Sequence, residues 1–138
     1  MEKTRITIET IVNQTIDQVW EKLTLPEHIM EWNHASEDWY TPSAENNLKS
    51  GGAFNYKMAA RDGSHSFHFS GIYDEVIKGK KIAFTLDDGR KVVMEFTGED
   101  GCVKIVETFE AEEVYSLEMQ RAGWQAILDN FKRYVENN

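Results

Sequence analysis

Lys81-Ile82-Ala83-Phe84-Thr85-Leu86-Asp87-Asp88-Gly89-Arg90-Lys91-Val92-Val93-Met94-Glu95-Phe96 is the stretch that decides the fold. Ile82, Phe84 and Leu86 alternate with Ala83 and Thr85, and Val92, Met94 and Phe96 resume the alternation further on. A period of two with one apolar side describes a half-buried strand. Asp87-Asp88-Gly89 between the two runs is a hairpin signal, because glycine supplies the positive φ that a tight turn requires. Two antiparallel strands with one apolar face follow.

The same grammar extends in both directions. Upstream, Gly51-Gly52 opens a strand in which Phe54, Tyr56, Met58 and Ala60 share a face. Arg61-Asp62-Gly63-Ser64 turns the chain, and Phe67, Phe69, Gly71 and Tyr73 then alternate with His68, Ser70, Ile72 and Asp74. Lys78-Gly79-Lys80 turns it again. Downstream, Glu99-Asp100-Gly101 leads into Val103, Ile105, Glu107 and Phe109. Turns roughly ten residues apart with alternation between them describe an antiparallel meander.

The flanks complete the architecture. Ile6, Ile8, Thr10 and Val12 alternate with Arg5, Thr7, Glu9 and Ile11, a first strand. Thr15-Ile16-Asp17-Gln18 is a capping box, and Ile16, Val19, Trp20 and Leu23 form one helical stripe after it. Pro26 ends that helix and opens a second short one. Trp32 to Leu48 reads as a long irregular segment. Ser116 is the expected N-cap of a long final helix whose stripe is Leu117, Trp124, Leu128, Phe131 and Val135. That helix is amphipathic, so it must lie on an apolar surface, and the inner sheet face is the one available. The expectation is an α+β chain, one domain over residues 1–138. About six antiparallel strands curl around a C-terminal helix, with two short helices after the first strand.

Composition narrows the function. The chain has 138 residues, with 15 Lys plus Arg against 24 Asp plus Glu, a net charge of -9. An acidic chain repels phosphate backbones, so nucleic-acid binding is not expected. No run approaches the roughly 18 apolar residues of a membrane span, so no membrane insertion is expected. Met1-Glu2-Lys3-Thr4-Arg5 carries no apolar signal core, and the single Cys102 cannot form an internal disulfide. A cytoplasmic location is the expectation.

The order and spacing of several short motifs resemble the helix-grip fold of the START-like superfamily, also called SRPBCC. They are similar above all to the branch of the activator of heat-shock-protein-90 ATPase C-terminal domain. The motifs are Val19-Trp20-Glu21, Pro26-Glu27-His28 with Trp32, Gly51-Gly52-Ala53-Phe54 and Gly71-Ile72-Tyr73-Asp74-Glu75-Val76. Thr108-Phe109-Glu110 and Gly123-Trp124-Gln125-Ala126-Ile127-Leu128-Asp129-Asn130-Phe131 complete them. The resemblance covers the whole chain and implies a space between sheet and helix. Its relatives include lipid-transfer domains and polyketide cyclases, so it implies no single chemistry.

Candidate chemistry is sparse. His65 and His68 lie at a turn and on a strand, where positions i and i+3 point to opposite faces, so no metal site is expected. Cys102 has Glu99 and Asp100 close by, and acidic neighbours quieten a thiol. No nucleotide or hydrolase motif occurs, and no cofactor is implied.

Glu107 is the best single candidate. It shares a strand face with Val103, Ile105 and Phe109, so alternation sends it inward. There it would orient a ligand or act as an acid/base, unless it forms a buried pair with Arg61, Arg121 or a Trp indole. Trp32, Trp39 and Tyr40 sit in the irregular segment, which would cross one end of the cavity as a lid or else plug the core. Phe54, Tyr56, Met58, Phe67, Phe69, Tyr73, Phe84, Met94, Phe96 and Trp124 would line a ligand cavity or simply fill the interior. Three functions follow as expectations. The first is binding of a small hydrophobic or aromatic molecule. The second is a polyketide cyclase or dehydratase-like activity through Glu107. The third is a chaperone-interacting module.

Overall fold

The computed structural model describes residues 4–138; the polar opening Met1-Glu2-Lys3 lies outside the described residues. The elements are β1 (Arg5–Val12), α1 (Ile16–Thr24), α2 (Pro26–Trp32), β2 (Trp39–Asn46), β3 (Ala53–Ala60), β4 (Ser66–Ile77), β5 (Lys81–Leu86), β6 (Lys91–Glu99), β7 (Cys102–Glu110) and α3 (Leu117–Glu136). The strands form one antiparallel sheet in the order β1-β7-β6-β5-β4-β3-β2. The β5–β6 hairpin turns through Gly89 at φ 93°, and the β6–β7 hairpin through Gly101 at φ 75°. Register shifts between Tyr73 and Glu75 and between Tyr40 and Ser43 bend the sheet. The result is a curled half-barrel holding α3, a helix-grip arrangement.

The sheet has seven strands, where the sequence suggested about six. The additional one is β2, inside the span read as irregular. Pro42 can donate nothing to a ladder, so β2 is an edge strand. The shift at Tyr40/Ser43 turns Thr41 inward, where it is buried. Thr41 Oγ1 donates to the carbonyl of Asn33 at 2.6 Å and accepts from Asn33 Nδ2 at 3.2 Å. The bulge therefore ties β2 to the end of α2. A long loop lid does not exist here: the span divides into the last turn of α2, the connection 33–38 and β2.

The helix termini follow their sequence signals. The Thr15 hydroxyl accepts from the Gln18 amide at 3.3 Å, and the Ser116 hydroxyl accepts from the Met119 amide at 3.1 Å. On α3 the residues Leu128, Phe131 and Val135 are buried. Leu117, expected in that stripe, is exposed instead, and Gln120 is the buried residue of the first turn.

Polar residues flanking the buried stripe of α3 serve the sheet edge. Arg121, Gln125 and Lys132 donate to the carbonyls of Thr7, Glu9 and Ile11 at 2.6, 3.1 and 2.7 Å. A bare edge strand is a template for pairing with another chain. Here helix side chains occupy the free carbonyls of β1.

Gly71 sits opposite Leu86 and Phe54 at the middle of β4. A Cβ there would lie 2.4 Å from the Thr85 carbonyl oxygen and 3.1 Å from Phe54 Cζ. The absent side chain lets the Phe54 ring lie across the strand.

Candidate functional site

The concave face of the sheet and the apolar face of α3 enclose a cavity of about 260 Å3. Strand alternation builds its walls: Phe54, Tyr56 and Met58 come from β3, Phe67, Phe69 and Tyr73 from β4, Phe84 from β5, Met94 from β6 and Glu107 from β7. Trp124, Ile127, Leu128 and Phe131 of α3 close it from above, and Trp32 closes it from α2.

The rings lock one another. Phe54 contacts Tyr56, Tyr73 and Phe84 at centroid distances of 5.3, 5.1 and 5.0 Å. Phe69 meets Trp124 edge to face at 5.8 Å. Trp124 in turn stacks on the fully buried Phe109 at 4.0 Å, with the planes within 8° of parallel. This linkage fixes the Trp124 indole against the sheet.

Two of the candidates lie elsewhere. Phe96 faces the other part of the core, edge to face with Trp20 at 5.4 Å. Trp39 opens β2 and is half-buried against Phe67 at 5.7 Å. Neither belongs to the cavity wall. Trp32 does, and it is also anchored structurally, with Nε1 donating to the Lys22 carbonyl at 2.8 Å and its ring on Phe131 at 5.0 Å.

Glu107 is buried, with Ile8 and Met94 opposite it on the neighbouring strands and Ile105 and Phe109 beside it on its own. No described residue hydrogen-bonds to its carboxyl, and burial alone pushes its pKa up to about 7. The partners expected from the sequence are engaged elsewhere. Arg61 Nε donates to the Glu37 carbonyl, and Arg121 to that of Thr7. Asp74, the other carboxylate near this region, points to the wet face and accepts from Thr85 Oγ1.

Two further polar groups border the cavity. The Tyr73 hydroxyl donates to Asn46 Oδ1 at 2.5 Å, and Asn46 Nδ2 donates to the Thr24 carbonyl at 2.7 Å. Burial raises the pKa of Tyr73 to about 12 and lifts that of the adjacent Tyr56 as well. The second group is Arg90, Glu112 and Gln120. Arg90 Nε lies 2.7 Å from Asp88 Oδ2, and its terminal nitrogen 3.9 Å from Glu112. Gln120 accepts from the Glu112 amide and donates to the carbonyls of Glu112 and Tyr115, clamping the entry to α3.

Sequence reasoning did not single out Asn46, Arg90, Glu112 or Gln120. Gln120 carries a usable signal, because it stands four residues before Trp124 on an otherwise apolar stripe. Asn46 and Arg90 carry none, since a strand end and a hairpin exit are ordinary places for polar residues. His65 and His68 are exposed, and no group of three metal-ligating side chains gathers among the described residues.

Comparison with known proteins agrees with this geometry. The family model for Activator of Hsp90 ATPase homolog 1-like protein matches residues 13–136. The solution structure of the AHSA1-like protein from Aeromonas hydrophila is 44% identical, with a TM-score of 0.91, covering 97% of this chain and 93% of that one. A solution structure from Cytophaga hutchinsonii is 48% identical with a TM-score of 0.84 and the same coverages of 97% and 93%. A crystal structure from Nitrosomonas europaea shares the fold at 18% identity, with a TM-score of 0.83 over 96% of this chain and 94% of that one. Among curated proteins no relative matches. The chain belongs to the Activator of Hsp90 ATPase homolog 1-like family.

Proposed function

We propose that the chain is a single ligand-binding domain over residues 1–138 that holds a small, mainly apolar or aromatic molecule between the sheet and α3. The observation that carries this reading is the cavity itself, ringed by aromatic side chains around one carboxyl without a protein donor. Its volume of about 260 Å3 exceeds the roughly 150 Å3 of an engineered cavity that takes benzene. It lies just under the roughly 300–1,000 Å3 of common small-molecule sites. A one- or two-ring compound suits that space better than a long acyl chain. Tyr56, Tyr73 and Glu107 would orient the ligand, and the rings would supply contact area. A cytoplasmic setting is part of this reading, resting on the lone Cys102, which suits a reducing compartment.

Titration calorimetry with a panel of aromatic and polyphenolic compounds tests the reading, with Ile127→Trp as a filled-cavity control. Saturable one-to-one binding by the wild type, lost in the variant, is expected. Equal heats for both proteins would place binding outside the cavity and refute it.

A second reading is an acid/base enzyme of the polyketide cyclase or dehydratase kind. It draws on the Glu107 pKa of about 7, the range in which a general base works best at neutral pH. Glu107→Gln should then abolish turnover while apolar binding persists. A chaperone-interacting module, the third reading, draws on the exposed run Val114, Tyr115, Leu117 and Met119. The cavity favours the first reading over it.

A further inference from the structure

We propose that the cavity selects small amines: a ligand with an aromatic or apolar body and one protonated amino group seated on the Glu107 carboxylate. This rests on the reading that the cavity holds a small molecule, and it names the chemistry of that molecule.

Glu107 lacks a donor among the described residues. Glu107 faces the cavity amid Ile8, Met94, Ile105 and Phe109, none of which can hydrogen-bond to it through a side chain. A buried carboxyl lacking a partner ionises at a cost, and an arriving donor offsets that cost. A ligand ammonium brings both the donor and the compensating charge.

The cavity wall disfavours the opposite charge. Arg90 is the one cationic side chain on the described wall, and Asp88 and Glu112 already flank its guanidinium. Buried Lys22 lies off the wall and donates to the Asn138 carbonyl. A carboxylate ligand would meet Glu107 with no free counter-charge. The cavity also attracts cations. Faces of Tyr56, Phe69 and Trp124 are electron-rich and draw a cation, and the net charge of -9 favours cation entry.

The pH dependence has one source near neutrality. Beyond the apolar neighbours on β1, β6 and β7, α3 presents Gln120, Trp124, Ile127 and Leu128 to the cavity, none titratable. From β3 and β4, Tyr56 and Tyr73 remain neutral, their pKa values raised by burial. Arg90 and Glu112 form the separate charged group at the wall. Below the Glu107 pKa of about 7 an arriving ammonium must first displace a proton from the carboxyl, so affinity falls by up to tenfold per pH unit.

Calorimetry and amide NMR with 2-phenylethylamine, 2-phenylethanol and 3-phenylpropionate test the proposal. The amine is expected to bind about tenfold or more tightly than the alcohol near pH 8, with the carboxylate weakest. The advantage should shrink as pH falls toward about 5.5 and disappear in Glu107→Gln. Equal binding of amine and alcohol near pH 8 would overturn the amine assignment and leave the cavity reading intact. Failure of all three probes to move cavity resonances would overturn both. Should the Gln variant not fold, the wild-type pH profile decides: amine affinity that stays flat from about pH 5.5 to 8 overturns the proposal.

Discussion

Glu107→Gln has a consequence for stability that needs no ligand. The unfolded carboxyl titrates near 4.5 and the folded one near 7. Below about pH 4.5 both states hold the proton, and burial of the side chain carries no charge penalty. Between the two values the unfolded chain releases its proton while the folded chain retains it. The folded state then binds more protons, so stability falls as pH rises through this window. Above about pH 7 the loss is complete. A difference of about 2.5 pH units corresponds to a destabilisation of about 3 kcal/mol.

The Gln variant cannot ionise and escapes that loss, whereas every other carboxylate contributes equally to both proteins. Urea denaturation of the two proteins at intervals from about pH 4 to 8 isolates the effect. The stability difference should be flat at low pH, shift by about 3 kcal/mol in favour of Gln across the window, and flatten again. A difference that does not change with pH, or one that shifts in favour of Glu, would mean that a partner or water stabilises the folded carboxylate. The unpartnered carboxylate on which the amine assignment rests would then be refuted.

Other substitutions probe the scaffold. Trp124→Ala removes the ring that stacks on Phe109 and touches Phe69, and should cost about 3–5 kcal/mol in a thermal melt; a wild-type curve would contradict the helix-on-sheet packing. Gly71→Ala drives a methyl into the Thr85 carbonyl and the Phe54 ring, so a loss of about 1–3 kcal/mol is expected, and an unchanged melting temperature would show that β4 has room to move. Replacing Arg121, Gln125 and Lys132 together by Ala uncovers three carbonyls of β1; a drop of about 1–3 kcal/mol with increased self-association by light scattering is expected, and unchanged stability and scattering would show that the edge needs no cover.

Most of this fold is written locally. The meander declares itself because Ile82, Phe84 and Leu86 or Val92, Met94 and Phe96 alternate without interruption and glycine marks each turn. The first strand, α1 and α3 follow from their own periodicities, and α2 from the proline that opens it. β2 escapes because Pro42 and the inward Thr41 break its alternation, and the reason for the break is a tertiary contact with Asn33. Leu117 misleads for a related reason: the helix begins at the cavity rim, where Gln120 rather than an apolar residue is wanted to hold the carbonyls of residues 112 and 115.

At the site, the inward turn of Glu107 is readable from Val103, Ile105 and Phe109. Its lack of a partner is not, because that depends on where distant cations go. Arg61 and Arg121 are both spent on backbone carbonyls. Phe96 and Phe84 look alike in sequence, yet only Phe84 reaches the cavity, since Trp20 of α1 covers the other.

The proposed function requires that the space between the sheet and α3 admit a ligand. Two-dimensional amide and methyl NMR, recorded while aromatic small molecules are titrated into the protein, addresses it directly. The expected result is saturable shifts concentrated on Tyr56, Phe69, Met94, Glu107 and Trp124, with intermolecular NOEs from ligand protons to the same rings. A well-dispersed spectrum that does not respond to any compound of a broad panel would contradict ligand entry and mean that the rings serve only as core.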